Sequence, residues 1–140
     1  MSDPTFIIHN LTHALAVGKT TMDVKARVKM QSAPGLASTL GPEAFSAIVE
    51  FTRASYPGAE FTAVLDCGDE PGTAIGALRR GIKTISINVD ALTRRKIEDI
   101  AHKLNANVVN CAKSALDLYR IADTDINHAI RRHISNGMTL

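Results

Sequence analysis

The densest run of chemistry-bearing side chains in this 140-residue sequence is Leu65-Asp66-Cys67-Gly68-Asp69-Glu70-Pro71-Gly72, with three carboxylates and a thiol within five residues. It follows an apolar run, Phe61-Thr62-Ala63-Val64-Leu65, and precedes a helical pattern. The acids therefore stand at the carboxyl end of a strand, where parallel sheets and barrels bind their ligands. Asp66 is the candidate general acid or base, because nearby negative charge and partial burial raise a carboxyl pKa toward the working range of proton transfer. Asp66 with Asp69 also offers hard oxygen ligands to a divalent cation. The plainer alternative gives all three acids structural tasks: Asp69 as helix N-cap, Glu70 beside the helix dipole, and Asp66 bonding loop amides. Cys67 is a candidate nucleophile or soft metal ligand. A helix N-terminus lowers its pKa while the three acids raise it, and a small reduced packing residue is the alternative. Phosphate cradling by Gly68 and Gly72 is disfavoured, since the same acids repel an anion.

The strand-end rule collects further residues: His9 and Asn10, Gln31 and Ser32, Asn88 and Asp90, and Asn110, Cys111 and Lys113. The expected site has Asp66 and Cys67 as catalytic groups and His9, Asn10, Ser32, Asp69, Asn88 and Asn110 as ligand-binding groups. Loops are polar in any case, so the set makes a pocket only if the fold gathers it. His9 and His13 have the i, i+4 spacing of helical metal ligands, but His9 ends a strand, and no metal site is assigned. His102, His128 and His133 are expected on the surface. Lys25, Arg27 and Lys29 make one basic strand face, either solvated or attractive to an anion.

The elements that position these groups alternate β-branched runs with helical patterns, which argues α/β architecture. Expected strands are Phe6–His9, Val24–Met30, Phe61–Leu65, Thr84–Ile87 and Asn107–Val109. The second alternates cleanly, which places it at a sheet edge or on an uncovered face. A weak helix from Leu11 to Val17 is expected to end at Gly18. Another opens at Gly41-Pro42 and stops at Tyr56-Pro57-Gly58, with Phe45, Ile48, Val49 and Thr52 as its stripe. The helix after Asp69 ends at Gly81, and Gly72 and Gly76 are read as packing glycines. Ala91–Leu104 carries Ile97, Ile100, Ala101 and Leu104 inward and pairs Arg94 with Glu98, Arg95 with Asp99 and Asp99 with Lys103. Ser114-Ala115-Leu116-Asp117 has capping-box form and opens a long C-terminal helix toward Ser135, with a weak point at Asp123-Thr124-Asp125. Its surplus of apolar positions is expected to meet another subunit, which predicts a homo-oligomer.

Composition narrows the class. The chain is 45% hydrophobic and 21% charged, with six aromatics, two cysteines and a net charge of +2. That excludes disorder and a disulfide framework, and no apolar run approaches the ~18–20 residues of a membrane span. The start, MSDPTFIIHN, carries an acid where a signal peptide has basic residues. A soluble, cytoplasmic, single domain over residues 1–140 is expected. The charge is a difference between halves, −3 over residues 1–70 and +5 over 71–140. Many basic residues of the second half have acidic neighbours one helical turn away, and no stacking aromatics other than Tyr119 accompany them, so nucleic acid is not the expected partner.

The segment Leu65-Asp66-Cys67-Gly68-Asp69 with Ala77-Leu78-Arg79-Arg80-Gly81, preceded by Ser32-Ala33-Pro34-Gly35, resembles small uncharacterised bacterial α/β proteins with an LDCGDxPG-type segment. That resemblance covers most of the chain and implies no established activity. Residues 61–110, as strand, LD-x-G, helix, AxxxG, strand, helix, strand, also resemble one arc of class II fructose-bisphosphate aldolase barrels, which have LDHG there. This second resemblance implies that Asp66 matches the catalytic aspartate. Cys67 stands where that family has a zinc-binding histidine, and 140 residues fall short of the ~250 of an eight-stranded barrel. The expected fold is a single α/β domain with a five-stranded, mainly parallel sheet and flanking helices, or a half-barrel related to the TIM barrel. The expected function is small-molecule binding around Asp66, with acid–base or metal-assisted lyase chemistry on a carbonyl compound. No cofactor is named. The rival is a non-catalytic oligomerisation module working through the C-terminal helix.

Overall fold

The structure, a computed structural model, describes residues 3–112 and 114–138, so Lys113 lies outside the described residues. The strands are β1 (Thr5–Ile8), β2 (Arg27–Ser32), β3 (Glu60–Asp66), β4 (Thr84–Ser86), β5 (Asn107–Val109) and β6 (Leu116–Asp117). The α-helices are α1 (Leu11–Val24), α2 (Leu36–Thr39), α3 (Pro42–Ser55), α4 (Pro71–Arg79), α5 (Ala91–Lys103) and α6 (Ile126–Met138), and a 3₁₀ turn spans Leu118–Arg120. The fold is α/β with parallel strands and flanking helices. The sequence leads one to expect five strands, and the described residues form six. Among the described residues no helix is long and apolar enough to cross a membrane.

The chain divides into two compact units, residues 1–31, 48–63 and 113–140 in the first, and 32–47 and 64–112 in the second. In the first unit the strand order is β3 (its opening residues), β2, β1, β6. β1 and β6 run parallel, Phe6 opposite Leu116 and Ile7 opposite Asp117. Of the two places its alternation suggests, a sheet edge or an uncovered face, the edge is corrected: β2 is an interior strand. The helix before it runs on to Val24 and closes at Lys25 in the left-handed conformation, so only Arg27 to Met30 of the alternating run is strand. Val28 and Met30 are fully buried, and Gln31, Ser32 and Ala33 after them are buried too.

Gly18 does not end α1 but lies inside it. A Cβ there would stand 2.8 Å from Thr52 Cγ2 and 3.2 Å from Tyr56 Cδ2. The glycine is what lets α1 approach that turn of α3. The expected C-terminal helix from Ser114 is also corrected. The chain makes β6 and the 3₁₀ turn first, and α6 begins only at Ile126, after the weak helix formers Asp123-Thr124-Asp125. Leu118, Ile126, Ile130 and Ile134 are buried within the chain itself.

In the second unit the order is β5, β4, β3 (its closing residues). Both pairings are parallel, with Leu65 opposite Ile85 and Asp66 opposite Ser86, then Ile85 opposite Val108. α4 buries Ala74, Ala77 and Leu78. Gly72 meets no described atom within 4 Å and Gly76 only the Arg80 guanidinium, so close approach belongs to the alanines and the packing reading of these glycines is overturned. Gly81 ends the segment at φ 94°, where a side chain is strained. In α5, Ile97 and Ala101 are buried while Leu104 is 39% exposed, because Leu104 caps the helix rather than extending it. The Arg94–Glu98 pair forms at 3.4 Å.

Gly18→Ala is expected to destabilise the protein by about 1–2 kcal/mol, since overpacking against buried Thr52 outweighs alanine's helix preference. Gly72→Ala, with open space around it, is expected to be neutral or stabilising by up to ~1 kcal/mol. Urea denaturation of the two variants reads both.

Candidate functional site

The second unit gathers its chemistry at the carboxyl ends of β3 and β4. Asp66, the last residue of β3, is 8% exposed. Its Oδ1 accepts hydrogen bonds from Ser86 Oγ at 3.1 Å and from the Gly68 N–H at 3.1 Å, and the Cys111 thiol points at it from 4.0 Å. The Asp66 N–H donates to Ser32 Oγ at 2.8 Å, and Ser32 is itself fully buried. The turn is tied to β4 by two further bonds, Cys67 N–H to the Ser86 carbonyl (2.9 Å) and Asn88 N–H to the Gly68 carbonyl (2.7 Å). Among the described residues every hydrogen bond to the carboxylate falls on Oδ1.

Cys67 is buried, with its thiol 3.7 Å from the Leu65 carbonyl. Burial first, then the charges of Asp66 and Glu70, push the thiol up to about 12. It is a protonated packing residue at neutral pH, not an activated nucleophile. Asp69 is exposed in the turn, and the residue that caps α4 is Glu70, whose carboxylate accepts from the Thr73 hydroxyl at 3.0 Å. The expected N-cap thus sits one residue late, because the turn through Gly68 at φ 60° consumes Asp69. Asn88 joins the site through its backbone while its side chain is exposed, and Asn110 is exposed after β5. Asp90 N-caps α5, accepting from the Thr93 N–H at 2.7 Å, and that bond holds its carboxyl below the ordinary range.

His9 and Asn10 belong to the first unit, where they build a cluster of their own at the carboxyl ends of β1 and β6. Asn10 N-caps α1, accepting from the His13 N–H at 2.8 Å. The His9 N–H donates to His13 Nδ1 at 3.1 Å, and His9 Nε2 lies 2.7 Å from Asp117 Oδ1. Asp117 also accepts from the Tyr119 N–H at 3.0 Å. The ring of Tyr119, 74% exposed, lies 5.1 Å from that of His9. His133, expected on the surface, is half-buried with its ring edge to face with Phe6 at 5.0 Å. Its Nε2 is buried without a hydrogen-bond partner among the described residues.

Sequence reasoning finds Asp66 from its strand-end position but passes over Ser86 and Asp117. Ser86 carried a signal, a hydroxyl inside the apolar strand Thr84-Ile85-Ser86-Ile87. Asp117 was masked by the capping-box pattern around it.

No protein-family model matches the chain, and no curated protein matches it significantly. Among solved structures it is similar to one described as "a putative fructose-1,6-biphosphate aldolase from Coccidioides immitis", with TM-score 0.63 and 12% identity over 76% of this chain. The match spans 44% of that chain. At this identity the likeness is one of fold, and it agrees with the aldolase-barrel likeness of residues 61–110 at that level. The zinc implied by that likeness does not fit the residues present. Cys67, at the position of that family's histidine ligand, is buried with its thiol against the Leu65 carbonyl. Among the described residues no three His, Cys, Asp or Glu side chains gather into a metal-binding set.

Iodoacetamide near about pH 8 is expected to alkylate exposed Cys111 at least tenfold faster than Cys67, read by peptide mass spectrometry. The histidines give a second expectation. Burial, reinforced by His9, lowers the pKa of His13 against the pull of Asp123 and Asp117. Burial lowers that of His133 against the Thr5 carbonyl. As pH falls through the unfolded value of 6.5, the unfolded chain takes up protons that the folded one refuses, so this stability is present above that value and lost below it. The thermal midpoint is expected to fall between about pH 7.5 and 5.5, and to fall less in His13→Gln.

Proposed function

We propose that the second unit binds a small carbonyl compound at the carboxyl ends of β3 and β4, and that Asp66 moves a proton on it. The observation that carries this reading is the Asp66 carboxylate: 8% exposed, oriented through Oδ1 by Ser86 and the Gly68 N–H, with Oδ2 left over. A carboxylate held this way is a positioned base. Oδ2 takes a proton from the carbon or hydroxyl next to the carbonyl, the bonding pair moves toward the carbonyl, and the acid form returns the proton in the reverse sense. The Cys111 thiol at 4.0 Å from Oδ1 is the neighbouring group a bound ligand meets. The fold's likeness to a structure described as an aldolase supports lyase-type chemistry of this class. Among the described residues no metal-ligand set gathers at Asp66, and the reading gives the proton transfer to its carboxylate.

Proton exchange at carbon is the direct test. With dihydroxyacetone or pyruvate in D₂O, proton NMR is expected to show protein-dependent loss of the α-proton signal, slowed by about 10²-fold or more in Asp66→Asn. Native mass spectrometry with the same compounds reads binding separately. Exchange and binding that are the same in wild type and in a folded Asp66→Asn variant would sink the reading.

A further inference from the structure

We propose that the first unit carries a separate acid–base site, with His9 as its base, Asp117 as the group that orients it and Tyr119 as a wall for the ligand. The inference does not depend on the role of Asp66.

The tautomer follows from the partners. Asp117 Oδ1 accepts from the Tyr119 N–H (3.0 Å) and faces His9 Nε2 at 2.7 Å. Burial works against ionisation, but these two partners and Arg120 outweigh it and hold the carboxyl below its ordinary range. An ionised carboxylate only accepts, so Nε2 must carry a proton, and in the neutral ring Nδ1 then holds the lone pair. Among the described residues nothing bonds to Nδ1, and the His9 side chain is 26% exposed. The backbone fixes the ring from the other side, since the His9 N–H donates to His13 Nδ1 at 3.1 Å. That bond makes His13 a neutral ring with its proton on Nε2, in keeping with its 6% exposure. Its ring stands edge to face with His9 at 5.7 Å. This is the arrangement by which a carboxylate keeps an imidazole in one tautomer and stabilises the imidazolium that forms when Nδ1 takes a proton.

The ligand class follows from the walls. The Tyr119 ring is 74% exposed and tilted 42° to the His9 ring at 5.1 Å, a surface for a flat molecule. The Asp117 carboxylate beside the base disfavours an anion. The site therefore suits a flat, uncharged molecule presenting an acidic O–H or N–H to Nδ1. The proton passes to Nδ1, its bonding electrons stay on the ligand, and the His9 imidazolium is held by Asp117. The charged and titratable groups around the base are Asp117, Arg120 and Tyr119 from the β6 side, and His13 with its neighbour Asp123.

Diethyl pyrocarbonate tests the base without knowledge of the natural ligand. Nδ1 attacks one carbonyl, the C–O bond to the leaving monoethyl carbonate breaks, and the Nε2 proton departs to solvent. At about pH 7 His9 is expected to be carbethoxylated several-fold faster than His102 and His128, although both are more exposed. Asp117→Asn keeps an acceptor for the Tyr119 N–H and is expected to slow His9 about tenfold while leaving His102 unchanged. Phenol, as the simplest flat donor, is expected to shift the His9 ring signals in the wild type and not in Tyr119→Ala. A His9 that reacts no faster than His102, or is indifferent to a folded Asp117→Asn variant, overturns the base. Phenol shifts that are absent or unchanged in Tyr119→Ala overturn the ligand class.

Discussion

The carboxylate of Asp66 cannot be buried without donors, and that requirement organises the whole strand-end region of the second unit. An unsatisfied carboxylate at 8% exposure would cost several kcal/mol. The hydroxyl of Ser86 and the amide of Gly68 meet this need, and Ser32 takes the residue's own N–H. Those bonds fix the ends of β2, β3 and β4 against one another and dictate the turn that follows. Gly68 must enter the left-handed region at φ 60° to aim its amide at the carboxylate, and its carbonyl then meets the Asn88 N–H. Cys67 inherits its chemistry from the same burial. Carried inward beside a carboxylate, its thiol is pushed up to about 12 and becomes packing material.

The part of the fold legible in the sequence is the part where local signals and tertiary packing agree. Proline at the start of α3, the Tyr56-Pro57-Gly58 stop, the apolar run of β3, the Ile97–Ala101 face of α5 and the three residues of β5 all lie where pattern alone puts them. The misreadings have one physical origin, long-range contacts that overrule a local rule. Gly18 reads as a stop, but it is kept inside α1 by the close passage of Thr52. Ser114–Asp117 reads as a helix start. Parallel pairing with β1 draws Leu116 and Asp117 into an extended strand instead. Alternation in 24–30 reads as an edge or an uncovered face, yet only its second half is strand and that strand is not at an edge.

The candidate site was legible to a similar extent. Asp66 was visible because a strand end concentrates function, and Ser32 because it ends the preceding strand. Ser86 and Asp117 act through partners far away in sequence, 20 and 108 residues respectively, a distance that spacing rules do not reach. The strand-end rule nevertheless points to both clusters, since each sits where parallel strands release their chain into a helix or turn.

The sixth strand has a consequence for how the molecule is made. β1 leaves the ribosome well before its neighbour β6 and the α6 side chain His133, edge to face with Phe6, which come from beyond residue 115. α1 likewise meets α6, with Asp23 facing Arg131 at 3.7 Å. The contacts of the second unit, by contrast, close within residues 32–112. During synthesis the second unit can complete its own contacts first. Phe6 and Ile8 wait with their apolar surface uncovered until residues 116–138 have emerged, and over that interval a chaperone has most to hold.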